Sequence, residues 1–320
     1  MAQLRALVTG IGGQDGSYLA EFLLEKGYEV HGFGRRGTKP IDDRVTMHFG
    51  DLVDPAALCG AIAESQPSEI YNLGAESHVG DSFKQPAYTW RATAEPVLTI
   101  LEYVRWNMPK CRVYQASSSE MFGVMPAPQD EHTAFLPQSP YAVAKCAAHQ
   151  TVQIYRKAYG VFAVGGILFN HESERRPNRF VTRKISQSVA RIALGLQEAL
   201  VLGNLEARRD WGYSPDFVRA MWLMLQQDDP LDYVVATGET HSVGEFVALA
   251  FHYVEEFTGK RFDINERVRV DASFKRPAEV PDLCGDASRA EQKLGWVPTV
   301  RFADLVRRMV KHDLGGSEQR

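Results

Sequence analysis

Leu4 to Thr9 is a largely apolar run ending at Gly10, the pattern of a strand buried on both faces. The spacing then turns helical, with Tyr18, Leu19, Phe22 and Leu23 on one face and Gly27 as the stop. Tyr28 to Phe33 and Val45 to Phe49 predict two more strands. A helix from Pro55 to about Glu64, a fourth strand from Glu69 to Leu73 and a helix over roughly Ala87 to Trp106 follow. Arg112 to Ala116 and Phe162 to Phe169 predict further strands, separated by a helix from Ser139 to about Tyr159. Strands alternating with helices of this length imply a parallel sheet, helices on both faces and right-handed crossovers.

After Asn170 the rhythm changes. Helices are predicted over Phe180 to Leu194, Pro215 to Gln227, Ser242 to Phe257, Ala287 to Lys293 and Phe302 to Lys311. Leu200 to Leu202, Tyr233 to Thr237 and Arg267 to Val270 predict short strands, the second of them returning to the first sheet. The chain therefore divides into a larger domain, 1–170 with about 208–238, and a smaller C-terminal α/β domain, about 171–207 and 239–320. No Ser/Gly-rich linker or repeat separates the two, so they are expected to pack closely and share a ligand cleft.

Composition narrows the function classes. Hydrophobic residues make up 44% and charged residues 24% of the 320, the mix of a folded globular chain. No apolar run approaches the ~20 residues that span a bilayer, and Met1 to Arg5 leads into a strand rather than a signal peptide. Thirty-six basic residues against forty acidic ones give a net charge of −4, which argues against non-specific nucleic-acid binding. Cys59, Cys111, Cys146 and Cys284 show no C-x-x-C spacing. That argues against a metal site or a disulfide framework and points to the reducing cytoplasm.

Gly10-Ile11-Gly12-Gly13-Gln14-Asp15-Gly16 lies between the first strand and the first helix, with glycines 10, 13 and 16 spaced G-x-x-G-x-x-G. Gly10 permits the tight turn, Gly13 lets the backbone approach a pyrophosphate, and Gly16 lets helix and strand pack closely. The helix N-terminus offers free N–H groups to the phosphate. An ordinary βα turn carries glycines too, but the strand before and the helix after favour a nucleotide. At the tip of the second strand, where an NAD site carries an acid, the chain has Arg35-Arg36. Guanidinium forks suit a 2′-phosphate, so NADP is favoured over the alternative of two solvated arginines. Asp51-Leu52 is expected at the adenine, and Leu73 to Ser77 at the ribose and nicotinamide.

Ser117-Ser118-Ser119-Glu120 ends the fifth strand at its carboxyl edge, where α/β folds bind ligands. Ser139-Pro140-Tyr141-Ala142-Val143-Ala144-Lys145 then opens a helix, with Ser139 as N-cap and Pro140 in the first turn. Tyr141 and Lys145 share one helix face. An ammonium beside the phenol is expected to lower the tyrosine's pKa from about 10 and make Tyr141 an acid or base near neutrality. The spacing alone is common on helices; the glycine turn and the strand-tip hydroxyls make the catalytic reading the favoured one. His171-Glu172 lacks the second His of H-E-x-x-H, so no metal is expected there.

With these residues the chain resembles the extended short-chain dehydrogenase/reductase superfamily, and within it the GDP-mannose 4,6-dehydratase family. The narrower resemblance rests on blocks spread along the chain: Tyr71 to Val79, Tyr114 to Gly123, Gly166 to Ser173, Phe180 to Ile185, Arg208 to Gly212 and Arg276 to Val280. It implies a Rossmann-type doubly wound parallel sheet with a smaller C-terminal substrate domain, a bound NADP and a GDP-sugar substrate. It implies Glu120 as base, Tyr141 as catalytic tyrosine and Lys145 as its partner, with Ser118 where the family usually has threonine. Leu73, Gly74, Ala75, Ser77, Tyr88, His171 and Arg176 match cofactor-contacting positions, beside Gly10, Gly12, Gly13, Gln14, Asp15, Gly16, Arg35, Arg36, Asp51 and Leu52. Ser77, Ser117, Ser118, Asn170, Lys184, Arg209, Arg276 and Glu279 match positions around the GDP-sugar. The implied product is a 4-keto-6-deoxy sugar nucleotide, formed by internal redox.

The chain also departs from that pattern. Ser118 lacks the threonine methyl. Pro96 lies inside the helix from Ala87 to Trp106 and should kink or split it. The loop after Arg36, Gly37 to Asp43, is shorter than the family's, whose loop supports a tetramer, so a homodimer is as well supported as a homotetramer. The alternatives are another GDP-sugar, such as a GDP-heptose, or a non-catalytic NADP(H)-binding sensor, against which Glu120, Tyr141 and Lys145 speak.

Overall fold

The computed structural model of the chain describes residues 3–271 and 278–317. Its first half runs β1 (Arg5–Thr9), α1 (Gln14–Glu25), β2 (Glu29–Gly34), β3 (Thr46–Phe49), α2 (Pro55–Ser65), β4 (Glu69–Asn72), α3 (Val79–Ser82), α4 (Pro86–Thr93), α5 (Glu95–Asn107), β5 (Arg112–Ser118), α6 (Pro140–Tyr159) and β6 (Ala163–Leu168). The second half runs β7 (Asn170–Glu172), α7 (Val181–Ala193), β8 (Leu200–Leu202), β9 (Arg208–Arg209), β10 (Trp211–Tyr213), α8 (Ser214–Leu225), β11 (Tyr233–Val235), β12 (His241–Ser242), α9 (Val243–Thr258), α10 (Ile264–Arg267), β13 (Val268–Val270), β14 (Asp282–Leu283), α11 (Ser288–Leu294) and α12 (Phe302–Ser317).

The seven-stranded sheet has the order β11-β6-β5-β4-β1-β2-β3. Every neighbouring pair in it is parallel. Alternate residues serve opposite faces. Ala6, Val8, Tyr71 and Tyr114 join a core with Leu19 and Leu23 of α1 and Phe217 and Met221 of α8. Leu7, Ile70 and Val113 face α2, α5 and α6 through Leu58, Ile62, Ile100 and Val152. Burial on both faces explains why these strands read as continuous apolar runs. The chain reverses its direction of travel across the sheet between β1 and β4, which opens a crevice at their carboxyl ends.

The helix expected over 87–106 is split, as Pro96 requires: α4 stops at Thr93 and α5 begins at Glu95, with Pro96 in its first turn. There the missing N–H would have had no helical partner. A second core is formed by α7, α9 and α12, with Ile185, Val189, Phe246, Ala250, Leu305 and Met309 fully buried. Trp211 stacks on Phe302 at its edge, with centroids 5.9 Å apart. Ala290, Leu294 and Trp296, expected with the smaller domain, pack in the sheet's own core beside α8. Among the described residues no helix is long and apolar enough to cross a membrane.

Candidate active site

The crevice is a cleft of about 1230 Å³, larger than the roughly 300–1,000 Å³ of ordinary ligand pockets. At its floor Gly10 adopts φ +69°, and a Cβ there would lie 2.9 Å from the Gly74 nitrogen, so only glycine lets the turn meet the loop after β4. A Cβ on Gly16 would collide with the Gly10 carbonyl oxygen. Gly13 caps α1 without a side chain, so the first-turn N–H groups stay available to an anion.

Gly10, Gly12, Gly13, Gln14, Asp15, Gly16, Arg35, Asp51, Leu52, Leu73, Gly74, Ala75, Ser77 and Tyr88 all line the cleft. Arg36 is exposed and outside its wall. Thr38 and Lys39, which the sequence pattern does not single out, line it instead; they sit in a turn closed by Thr38 N–H to the Arg35 carbonyl at 2.9 Å.

The catalytic candidates meet at the carboxyl end of β5. Ser118 Oγ accepts the Glu120 amide at 3.3 Å, which starts a tight turn over Ser119–Met121 and buries Glu120. Ser139 Oγ accepts the Ala142 amide at 3.1 Å and caps α6. One helical turn then sets Tyr141 and Lys145 together, both buried. Lys145 Nζ donates to the Ala116 carbonyl at 2.6 Å and lies 5.7 Å from the centre of the Tyr141 ring.

The expected lowering of the Tyr141 pKa does not occur in this cleft. Burial pushes the phenol up to about 12; a Ser118 hydrogen bond opposes this, the Glu120 charge adds to it, and Arg176 opposes it. Burial also lowers Lys145 to about 8, with Asp15 pulling the other way. The ammonium faces a carbonyl rather than the phenol, and burial outweighs the help the ring receives from Ser118 and Arg176.

Asp15 and His171 link the glycine turn to β7. His171 Nδ1 donates to the Phe169 carbonyl at 2.7 Å, Nε2 meets Asp15 Oδ2 at 2.8 Å, and the ring stacks on Phe217 at 4.5 Å. Burial works against the charged ring, yet Asp15 outweighs it and raises the His171 pKa. Asp15 is itself held well below the usual carboxylate range: burial opposes its charge, but His171 dominates, helped by Gln14 and Arg176. Gln14 donates to the His171 carbonyl at 3.0 Å and accepts Ser173 Oγ at 2.8 Å. Arg176 forms an ion pair with Glu172, Nε to Oε2 3.0 Å without a well-aligned hydrogen bond, and covers the Phe180 ring at 3.6 Å. Arg175 turns away to Glu21, 2.8 Å distant.

The rest of the lining comes from the chain after β6, with Asn170, Lys184, Arg209 and Glu279, and from Ser117 and Ser118 of β5. Arg209 is buried, and its Nη1 donates to the carbonyls of Arg208 and Val280 at 2.7 and 2.8 Å. Burial lowers the Lys184 pKa. Arg276 lies outside the described residues. Asn204, Trp211 and Arg179 also line the cleft without having been foreseen. Arg179 belongs to the same basic stretch as Arg175 and Arg176, and that clustering was the one available signal.

Sheet order and cleft are those of a short-chain dehydrogenase/reductase. The UDP-glucose 4-epimerase of Thermus thermophilus, solved with NAD, superimposes with a TM-score of 0.84 over 98% of this chain and 99% of its own, at 25% identity. The family described as GDP-mannose 4,6 dehydratase matches residues 7–309. GDP-mannose 4,6 dehydratase 1 of Arabidopsis thaliana is 50% identical over 97% of this chain and 89% of its own. The GDP-mannose 4,6 dehydratase of Homo sapiens is 48% identical over 97% and 91%. The chain belongs to the GDP-mannose 4,6-dehydratase family.

Proposed function

We propose that the chain converts GDP-D-mannose to GDP-4-keto-6-deoxy-D-mannose by internal redox through bound NADP. The observation that carries this reading is the meeting of a buried carboxylate, Glu120, with Tyr141 and Lys145 in one cleft with the glycine turn. Redox at a single carbon uses the tyrosine alone; elimination of water also needs a base on the neighbouring carbon.

The residues fit a dinucleotide. The first turn of α1 would hold the pyrophosphate, and Arg35, with Lys39, the 2′-phosphate. Asp51 and Leu52 would flank the adenine, with Leu73–Ser77, Tyr88, Lys145, His171 and Arg176 along the ribose and nicotinamide. When bound, NADP supplies a hydride acceptor for C4 and a hydride donor for C6. Tyr141 takes the C4 hydroxyl proton, with Lys145 and Arg176 as the nearby cations. Glu120 removes the C5 proton that the 4-ketone acidifies, Ser118 or Glu120 protonates the departing 6-hydroxyl, and a proton returns to C5 as C6 receives the hydride. Asn170, Lys184, Arg209, Arg276, Glu279 and Ser77 would hold the GDP-sugar. The reading assigns dinucleotide binding to 1–170 with about 208–238, and the GDP-sugar to about 171–207 and 239–320.

The same reading makes the protein a cytoplasmic homo-oligomer. Trp90, Leu98, Trp106, Val143, Ile154 and Tyr159 are exposed on α4, α5 and α6, and they support a dimer through these helices. Incubation of purified protein with GDP-mannose and NADP tests the activity. The expected product has lost one water, with no net NADPH. Stoichiometric NADPH means a simple dehydrogenase, and turnover of only another GDP-sugar moves the substrate.

A further inference from the structure

Behind the catalytic wall a second polar cluster is buried between β5, α6 and the chain entering β11. Ser117, His149 and Asp232 are only 4%, 1% and 7% exposed. Ser117 Oγ lies 2.8 Å from His149 Nδ1. Gln153 Nε2 lies 3.1 Å from His149 Nε2 and 3.0 Å from Asp232 Oδ2. Asp232 also accepts both terminal nitrogens of Arg156, at 2.9 and 2.7 Å, and the Gly165 amide at 2.8 Å.

The direction of each bond follows from the donors. A carboxylate only accepts, so Gln153 turns its amide nitrogen toward Asp232. The second hydrogen of that nitrogen points at His149 Nε2, which must accept it. Asp232 cannot serve that nitrogen instead: it is 3.6 Å away, beyond hydrogen-bond range, and its lone pairs are already taken. A neutral imidazole that accepts at Nε2 carries its hydrogen at Nδ1. Burial keeps the ring neutral by lowering its pKa, against the pull of Asp232. His149 therefore donates to Ser117. The hydroxyl's own hydrogen has no second partner among the described residues, and Ser117 lines the cleft.

We propose that Gln153 and His149 form a donor relay that fixes the Ser117 hydroxyl as a hydrogen-bond donor to an acceptor oxygen of the ligand seated over β5. That oxygen belongs either to the nicotinamide carboxamide or to the sugar. His149 touches Ser117 and no ligand, so it is a positioning residue. The inference rests on the proposed function for the identity of the ligand, but not for the tautomer.

The full chain labelled with 15N-histidine reads the tautomer directly, with His149 assigned from His149→Asn. Protonated Nδ1, bare Nε2 and a shifted Nδ1 resonance in Ser117→Ala are expected. An Nε2–H ring or an imidazolium at neutral pH overturns the relay. His149→Phe keeps a flat ring against Phe135 without the donor, while His149→Asn returns an N–H near the Nδ1 position. The Phe variant should lose about 5- to 10-fold in one readout, the ordinary worth of a hydrogen bond. The Asn variant should recover part of the loss, and the Ser117→Ala background should abolish it. Weakened NADPH binding assigns the oxygen to the carboxamide; a fall in kcat/KM for GDP-mannose alone assigns it to the sugar. No change in either, or an equal loss in the Ser117→Ala background, overturns the proposal. If the Phe variant does not fold, the Asn variant and the tautomer decide. A wild-type chain with the expected tautomer but no turnover of GDP-mannose contradicts the proposed activity alone.

Discussion

The two walls of the cleft are built by different means. On the sheet side Arg35, Ser118, Glu120, Tyr141 and Lys145 stand where a strand ends or a capped helix begins, each placed by residues within a few positions of itself. On the other side Asn170, Arg209 and Glu279 come from two- or three-residue strands and the segment before β14. Those pieces are joined across long stretches, as when Arg209 donates to Val280, 71 residues away. The charge environments differ too. The sheet wall buries a lysine and a phenol one helical turn apart, and a carboxylate at the tip of β5, which costs stability and suits proton transfer. The opposite wall leaves Asn170, Lys184 and Glu279 half-buried. On the proposed function the first wall carries the chemistry and the second the recognition.

Tyr141→Phe and the loss of Glu120 give the largest effects, of which Tyr141→Phe acts at the first step. It removes the proposed C4 proton acceptor and its hydrogen bond to Ser118, so turnover should fall about 10²–10⁴-fold with NADPH affinity largely kept. A variant that still reduces NADP in the presence of GDP-mannose would move the acid–base role elsewhere on the wall.

A matched pair of substitutions sharpens the division. Arg35→Ala should weaken NADP about tenfold, NAD little, and leave the KM for GDP-mannose unchanged, as loss of a charge-assisted contact does. Lys184→Met should raise that KM by about the same factor without touching dinucleotide affinity. Crossed effects, measured by titration of each ligand, would dissolve the two-wall picture.

The smallest effect concerns stability. Burial lowers Lys145 from 10.5 to about 8 in the folded chain. Below pH 8 both states hold the proton, and the folded state carries the full burden of a buried charge. Between 8 and 10.5 only the unfolded state holds it, so stability rises with pH there and the burden is gone above that window. Lys145→Met should therefore lose turnover but gain about 1 kcal/mol at pH 7, after the lost bond to Ala116 is subtracted. In denaturant melts the gain should pass through zero between pH 8 and 10.5 and reverse above that window, where only the lost Ala116 bond remains. A variant less stable than wild type at pH 7 would show that the Ala116 bond outweighs burial.

How far each wall could be read from the chain follows from the same contrast. The glycine turn, the break at Pro96 and the Ser139 cap are local events, and they appear where the sequence puts them. The strands β7, β9, β10, β12 and β14 are too short to carry a period-two signal and exist only through distant partners. Arg35 and Arg36 are equivalent on paper; only the turn after β2 makes one face the cleft and the other leave it. The pKa of Tyr141 runs against expectation because spacing reports that a lysine is near, but not that burial is the larger influence. Ala290 and Leu294 join the sheet core because α11 folds back on β11, a return that no linker announces.

On the proposed function Glu120 is the group that makes this wall eliminate water rather than only exchange hydride. Glu120→Gln keeps size and hydrogen bonding but removes the base, and the loss of one general base lowers a rate about 10²–10⁴-fold. In a single turnover with NADP and GDP-mannose, the variant should accumulate bound NADPH and a 4-keto sugar that still carries its 6-hydroxyl. Formation of the 6-deoxy product at nearly the native rate would contradict the assignment of Glu120 and, with it, the division of labour within the cleft.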